Sequence, residues 1–145
     1  MARTLHTQID IEASKEKVWD ILTDFPAYPQ WNPFIKGISG ELRAGARLAV
    51  HIQPPDQRGI TLHPKVLSAI PGQELKWLGH LLIPWVFDGE HHLVTHEMTP
   101  NRVLFVQGEE FKGVLVPFTG KILASTRQGF EQMNEALKKR AEAGD

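Results

Sequence analysis

Gly129-Phe130-Glu131-Gln132-Met133-Asn134-Glu135-Ala136-Leu137-Lys138 is the stretch whose periodicity decides the fold. Extended both ways, Leu123, Thr126, Phe130, Met133, Asn134, Leu137 and Ala141 recur at three- and four-residue steps, the spacing of one helix face. Lys121, Gln128, Glu131, Gln132, Glu135, Lys138 and Lys139 mostly take the other side. A helix from about Phe118 to Ala141 runs about 34 Å at a rise of roughly 1.5 Å per residue. Such a helix crosses a small domain and must bury its stripe against another layer.

The chain upstream predicts that layer. Leu5, Thr7, Ile9 and Ile11 alternate with His6, Gln8, Asp10 and Glu12, the period of a half-buried strand. Ser14 offers a helix N-cap, and Val18, Ile21, Leu22 and Phe25 share one face of a short helix that Pro26 ends. Two prolines in Tyr28-Pro29-Gln30-Trp31-Asn32-Pro33-Phe34 exclude regular helix or central strand; a short second helix or an ordered loop is expected, anchored by Trp31 and Phe34. From Ile35 to Lys112, turn signals at Gly40, Gly45, Pro54-Pro55-Asp56, Pro71-Gly72 and Pro100-Asn101 separate strand-like runs. Those runs are Leu48–Ile52, Ile60–Ile70, Glu74–Trp77, His91–Met98 and Val103–Phe111. The expected fold is α+β: a curved antiparallel sheet of about seven strands wrapped around the C-terminal helix, with two short helices after the first strand. Where the stripe leaves the concave face unfilled, a pocket remains. The apolar piece from Leu81 to Phe87 is expected to cover or line its mouth.

Composition narrows the function. With 145 residues, 41% apolar and 23% charged, the chain reads as one globular domain over residues 1–145. A formal net charge of −1, with both signs mixed along the chain, offers no basic face for nucleic acid. Cysteine is absent, which excludes disulfides, thiolate metal sites and cysteine nucleophiles. No apolar run approaches the roughly 20 residues of a membrane span, so stable membrane insertion is not expected. Met1 to Asp10 is polar and alternating, unlike a signal peptide, and a cytoplasmic location is expected.

Three segments carry a family resemblance: Val18-Trp19-Asp20-Ile21-Leu22-Thr23-Asp24, the Tyr28–Phe34 segment, and Gly129–Lys138. Their order and spacing resemble the START-like, Bet v 1-like (SRPBCC) superfamily, in particular its bacterial polyketide cyclase/dehydrase-like branch, from Leu5 to Ala141. Gly89-Glu90-His91-His92-Leu93 and Glu109-Glu110-Phe111-Lys112-Gly113 look like that branch too, with Gln107 standing where its members often have a histidine. The resemblance implies a helix-grip fold with a ligand cavity. It does not choose among carriers, receptors, cyclases, dehydratases and chaperone regulators.

Candidate chemistry centres on two residues. Counted outward from the Pro100-Asn101 turn, His91 shares a face with Leu93, Thr95 and Glu97, and Glu109 shares one with Val103, Phe105, Gln107 and Phe111. A poorly hydrated carboxylate on such a face suits proton transfer near neutral pH, so Glu109 and His91 are the candidate acid/base pair. The alternatives are a polar ligand contact, a structural pairing of Glu109 with His91 or Arg102, or exposure through a bulge near Gly108. Of the seven histidines, His92 and His96 face opposite to His91, and no metal-ligand spacing occurs, so neither metal nor cofactor is expected. Asn134, inside the apolar stripe, needs a partner: a backbone carbonyl of the sheet or a ligand. The expected ligand-binding set is Trp31, Phe34, Trp77, Trp85, Phe87, His91, Phe105, Gln107, Glu109, Phe111, Phe130 and Asn134.

The expected partner is a small hydrophobic molecule of lipid-, polyketide- or aromatic-like character, held between sheet and helix. Self-association, at most a weak homodimer, stays open. A cyclase/dehydratase-type enzyme using Glu109 and His91 is the second reading, and a protein-interaction module the third. An open pocket favours the first two, and a filled core favours the last.

Overall fold

The computed structural model describes residues 2–81 and 87–143. Strand β1 (Ala2–Ile11) leads into helix α1 (Lys15–Thr23), a 3-10 turn (Phe25–Ala27) and the one-turn helix α2 (Tyr28–Trp31). Strands β2 (Ile35–Ser39), β3 (Ala49–Ile52), β4 (Ile60–Leu62), β5 (Lys65–Ile70), β6 (Glu74–Leu81), β7 (Phe87–Thr99) and β8 (Arg102–Lys112) follow. A 3-10 turn (Val116–Phe118) then precedes helix α3 (Gly120–Glu142). This is the expected helix-grip architecture. The run expected as one strand from Ile60 to Ile70 is divided into β4 and β5, because Pro64 supplies no ladder donor.

The strands form two antiparallel sheets, one ordered β1-β8-β7-β6-β5 and the other β2-β3-β4. Backbone bonds from Leu48 N to Pro64 O, Gly45 N to Val66 O and Val66 N to Ala46 O stitch the smaller sheet's approach to β5. Local rules place the connections. Ser14 accepts a bond from Lys17 N at 3.1 Å and caps α1 as expected. Asn32 accepts from Phe34 N and Ile35 N at 2.9 and 2.8 Å, turning the chain from α2 into β2.

The stripe of α3 is buried at every expected position, from Leu123 through Thr126, Phe130, Met133, Asn134 and Leu137 to Ala141. Its C-terminal end is tied to the β1–α1 corner: Glu142 Oε2 accepts from Glu12 N at 2.8 Å, and Lys138 Nζ donates to Asp10 O at 2.9 Å. At mid-helix the Phe34 ring packs edge-on to Phe130, with centroids 5.3 Å apart, directly over Gly129. A Cβ at position 129 would overlap that ring. Glycine costs an isolated helix about 1 kcal/mol relative to alanine. Here the close approach requires it, because Phe34 is almost fully buried and its ring lies directly over the helix at Gly129.

Helix propensity and packing therefore predict opposite signs for Gly129→Ala. Overpacking costs about 1–3 kcal/mol against a propensity gain of about 1 kcal/mol, so we expect a net loss of up to about 2 kcal/mol in denaturant melts. A stabilised variant would show that the Phe34 contact yields freely.

Candidate functional site

β6, β7 and β8 alternate in and out, and their register decides what meets on the concave face. Trp77 pairs with His91, His91 with Glu109, and Glu109 with Leu5 on β1. The neighbouring row brings Thr7 opposite Gln107 and Gln107 opposite Leu93. On the other side of the His91 row, Gly79 lies opposite Gly89 and Gly89 opposite Phe111. Two adjacent inward positions thus carry no side chain, and an inward-facing sheet with two such gaps leaves empty volume.

That volume is a cavity of about 330 Å³ bounded by both sheets and the first turns of α3. Phe34, Ile35, Val50, Ile52, Ile60, Leu62, Trp77, Phe87 and Phe111 supply most of its wall, with Ile122 and Thr126 from the helix. Polar groups are few: His80, His91 and Glu109 on the sheet, Gln57 and Arg58 between β3 and β4, and Thr126 on the helix. Ile60 and Ile122 are substantially exposed although they line it, so they form an apolar rim.

His91 is held on every side. Its ring stacks on Trp77 at 4.9 Å and 11°, and meets Phe130 edge-on at 4.9 Å and 83°. Nδ1 lies 3.1 Å from Glu109 Oε1, and Nε2 lies 3.0 Å from Gln107 Oε1. Gln107 Nε2 donates to Asn134 Oδ1 at 2.8 Å, Asn134 Nδ2 donates to Thr7 Oγ1 at 2.9 Å, and Thr7 Oγ1 donates to the Gln107 carbonyl at 2.6 Å. The partners of Asn134 are therefore two side chains of the sheet, where a backbone carbonyl was one of the expected options. Glu109 reaches diagonally over Gly89, where an added Cβ would collide with its Oε2. Arg102 is engaged elsewhere, 3.3 Å from Asp10.

The residues singled out in the sequence divide into four groups. Phe34, Trp77, Phe87, His91, Glu109 and Phe111 come together on the cavity wall. Phe105, Gln107, Phe130 and Asn134 are fully buried behind it and hold the wall in place. Trp31 packs edge-on to Tyr28 with centroids 5.2 Å apart and is not among the lining residues; its Nε1 has no hydrogen-bond partner. Trp85, with most of the stretch expected at the mouth, lies outside the described residues. Sequence reasoning missed Ile35, Val50, Ile52, Ile60, Leu62 and the two glycines. The glycines were the legible signal, since glycine inside a strand pattern marks a close approach or a missing side chain.

Three other histidines lie outside the cavity. His92, His96 and His6 share the opposite face with Glu74, Lys76, Glu90 and Glu110. Among the described residues no group of three or more potential ligands has metal-binding geometry.

Comparison with known proteins agrees with this architecture. The family described as "Polyketide cyclase / dehydrase and lipid transport" matches residues 2–142. The chain belongs to that family. No protein of curated function matches the sequence. The fold is similar to a START superfamily protein from Mycobacterium smegmatis, at 22% identity over 96% of this chain and 97% of the other, with a TM-score of 0.73. It is also similar to the Zhui aromatase/cyclase from Streptomyces sp. R1128, at 14% identity over 98% and 94% of the two chains, with a TM-score of 0.76. Norcoclaurine synthase from Thalictrum flavum, solved with dopamine and hydroxybenzaldehyde, is similar at 12% identity over 100% and 90%, with a TM-score of 0.72. At these identities the likeness is one of fold. Among the described residues of this family member, no helix is long and apolar enough to cross a membrane.

The buried relay generates a stability prediction. Removing one partner orphans others at about 1–3 kcal/mol each, so Asn134→Leu should lose several kcal/mol. Thr7→Val combined with Asn134→Leu should cost less than the two losses added, with a coupling of about 0.5–3 kcal/mol in a double-mutant cycle. Strict additivity would mean that the relay does not act as a unit.

His92 generates a second prediction. Partial burial, then the charges of His91, Lys76 and His6, hold its pKa below the ordinary value of 6.5, against a smaller opposing effect of Glu110. The unfolded chain thus binds this proton more readily than the folded one, and stability rises with pH across that window. Lowering the pH from above 6.5 through the folded-state value should progressively destabilise the protein. His92→Gln should flatten that part of a stability-against-pH curve; an unchanged slope would assign the effect to other groups.

Proposed function

We propose that this chain binds one small, largely apolar molecule in the cavity between sheet and α3, with His91 and Glu109 as its polar end. The observation that carries the reading is the cavity itself: a largely apolar wall whose sheet side holds the hydrogen-bonded pair His91 and Glu109. Its volume of about 330 Å³ is near the lower end of the roughly 300–1,000 Å³ usual for small-molecule sites. A ligand of one to three rings, or a short acyl chain, matches that size. A family that includes lipid transport in its description, and a structural neighbour solved with two aromatic compounds, support the same class of ligand. Phe34, Trp77, Phe87 and Phe111 would contact its apolar body, and Ile60 and Ile122 would form the entry rim.

A second reading has its own support. His91 and Glu109 share a hydrogen bond at the cavity wall, an arrangement capable of general acid/base work on a bound substrate. The polyketide cyclase/dehydrase kinship points the same way. Glu109→Gln separates the two readings: a carrier keeps most of its uptake, whereas an enzyme loses turnover. The interaction-module reading asked for a filled core and gains no support from this one.

Gly79 supplies the binding test. An added Cβ there meets nothing nearer than Pro64 Cβ at 3.7 Å, so a larger side chain can extend into the cavity without striking the backbone. Gly79→Phe should stay folded and bind an uncharged fluorophore such as N-phenyl-1-naphthylamine about tenfold or more weakly than the parent. Equal uptake by both proteins would place binding outside the cavity.

A further inference from the structure

The buried relay has a direction, and that direction restricts what the cavity can recognise. Thr7 Oγ1 lies 2.6 Å from the main-chain oxygen of Gln107, and a carbonyl oxygen cannot donate. The Thr7 hydroxyl proton therefore sits in that contact. Asn134 must then turn its amide nitrogen, not its oxygen, toward Thr7 Oγ1. Its Oδ1 consequently faces Gln107, which must answer with its own amide nitrogen, a nitrogen that also lies 3.4 Å from the Phe130 carbonyl. Gln107 Oε1 is left facing His91 Nε2 at 3.0 Å. An amide oxygen only accepts, so His91 Nε2 carries a hydrogen.

With that nitrogen assigned, the 3.1 Å contact between His91 Nδ1 and Glu109 Oε1 needs one proton between two sets of lone pairs. The proton rests on Nδ1, as imidazolium and carboxylate, or on Oε1, as imidazole and carboxylic acid. In either placement Glu109 Oε2 has lone pairs and no hydrogen. That oxygen lies over Gly89, both residues line the cavity, and among the described residues nothing donates to it. On a wall that is otherwise largely apolar such an acceptor is poorly hydrated, and a ligand that supplies a donor satisfies it.

We infer that the cavity selects an apolar molecule whose polar group is a hydrogen-bond donor, a hydroxyl, phenol or amine N–H, directed at Glu109 Oε2. Thr7, Asn134 and Gln107 are the positioning residues that impose this choice through His91. The inference rests on the cavity being the ligand site, and it deepens that reading by naming the ligand's head group. Ethers, esters and carboxylates, which only accept, meet opposed lone pairs at Oε2.

Two measurements on the full chain test it. A long-range ¹H–¹⁵N correlation spectrum of the unliganded protein reads the protonation of each His91 nitrogen. The expected result is a protonated, pyrrole-type Nε2; a bare, pyridine-type Nε2 with the hydrogen on Nδ1 overturns the relay. In Gln107→Leu the nitrogen preference should relax toward a mixture while His80 and His92 keep their shifts, and an unchanged His91 refutes the positioning role. Should Gln107→Leu fail to fold, near-isosteric Thr7→Val removes the same anchor and is read in the same way. The second measurement compares 2-naphthol with 2-methoxynaphthalene, which share one apolar body. We expect 2-naphthol to bind about 10- to 100-fold tighter, with the preference erased in Glu109→Leu. Equal affinities in the parent protein overturn the ligand class while leaving the cavity as a binding site. Binding of neither probe overturns the cavity reading and the ligand class together, and the nitrogen assignment alone then judges the relay.

Discussion

The concave face depends on how α3 is seated against β1 and β8, and the seat is polar. Asn134 bonds Thr7 on β1 and Gln107 on β8, so the helix has one rotation and one height at which these three side chains are satisfied together. Apolar contacts alone allow a helix to slide by a fraction of a turn with small changes in buried area. A buried amide does not, because each lost bond strands a desolvated partner. Phe130 and Phe34 then pack where that rotation places them, and the absent Cβ at Gly129 lets the ring touch the helix backbone.

The cavity is what this seating leaves over. The far end of α3 is tied down through Lys138, Glu142 and the β1–α1 corner, while its first turns reach the sheet at Ile122 and Thr126 beside open volume. Across from them Gly79 and Gly89 remove two side chains from adjacent strands. Apolar volume that the chain itself leaves unfilled forfeits dispersion contacts, so this end of the core contributes less to stability than the close-packed end.

The same polar seat reaches the cavity wall. Seating of α3, protonation of His91 and the acceptor character of Glu109 belong to one network, running from Thr7 through Asn134 and Gln107. Trp77 and Phe130 keep the imidazole from turning, so the network's direction is transmitted rather than averaged. A residue on the first strand thereby influences chemistry two strands away without touching a ligand.

Much of this was legible in the chain. The stripe from Leu123 to Ala141, the alternation in β1 and the turn signals identify a long helix gripped by a curved antiparallel sheet, because those periodicities are local geometry. Alternation counted outward from Pro100-Asn101 also marks His91 and Glu109 as candidates for inward faces, but not their pairing. From Thr99 opposite Arg102 a regular hairpin sets His91 against Glu110, and the irregularity between Glu97 and Thr99 shifts the register by one. The partners of Asn134, the wall contributed by β2, β3 and β4, and the pairing of Gly79 with Gly89 were not legible. The first two join segments far apart in sequence, and no local pattern encodes which strand edge meets which. The sequence by itself determined the elements, the inward faces and the two candidate residues. Only the tertiary structure decided that the pair opens onto a cavity, and that a threonine hydroxyl orients every hydrogen bond leading to it, because hydrogen-bond direction exists only once the partners have met.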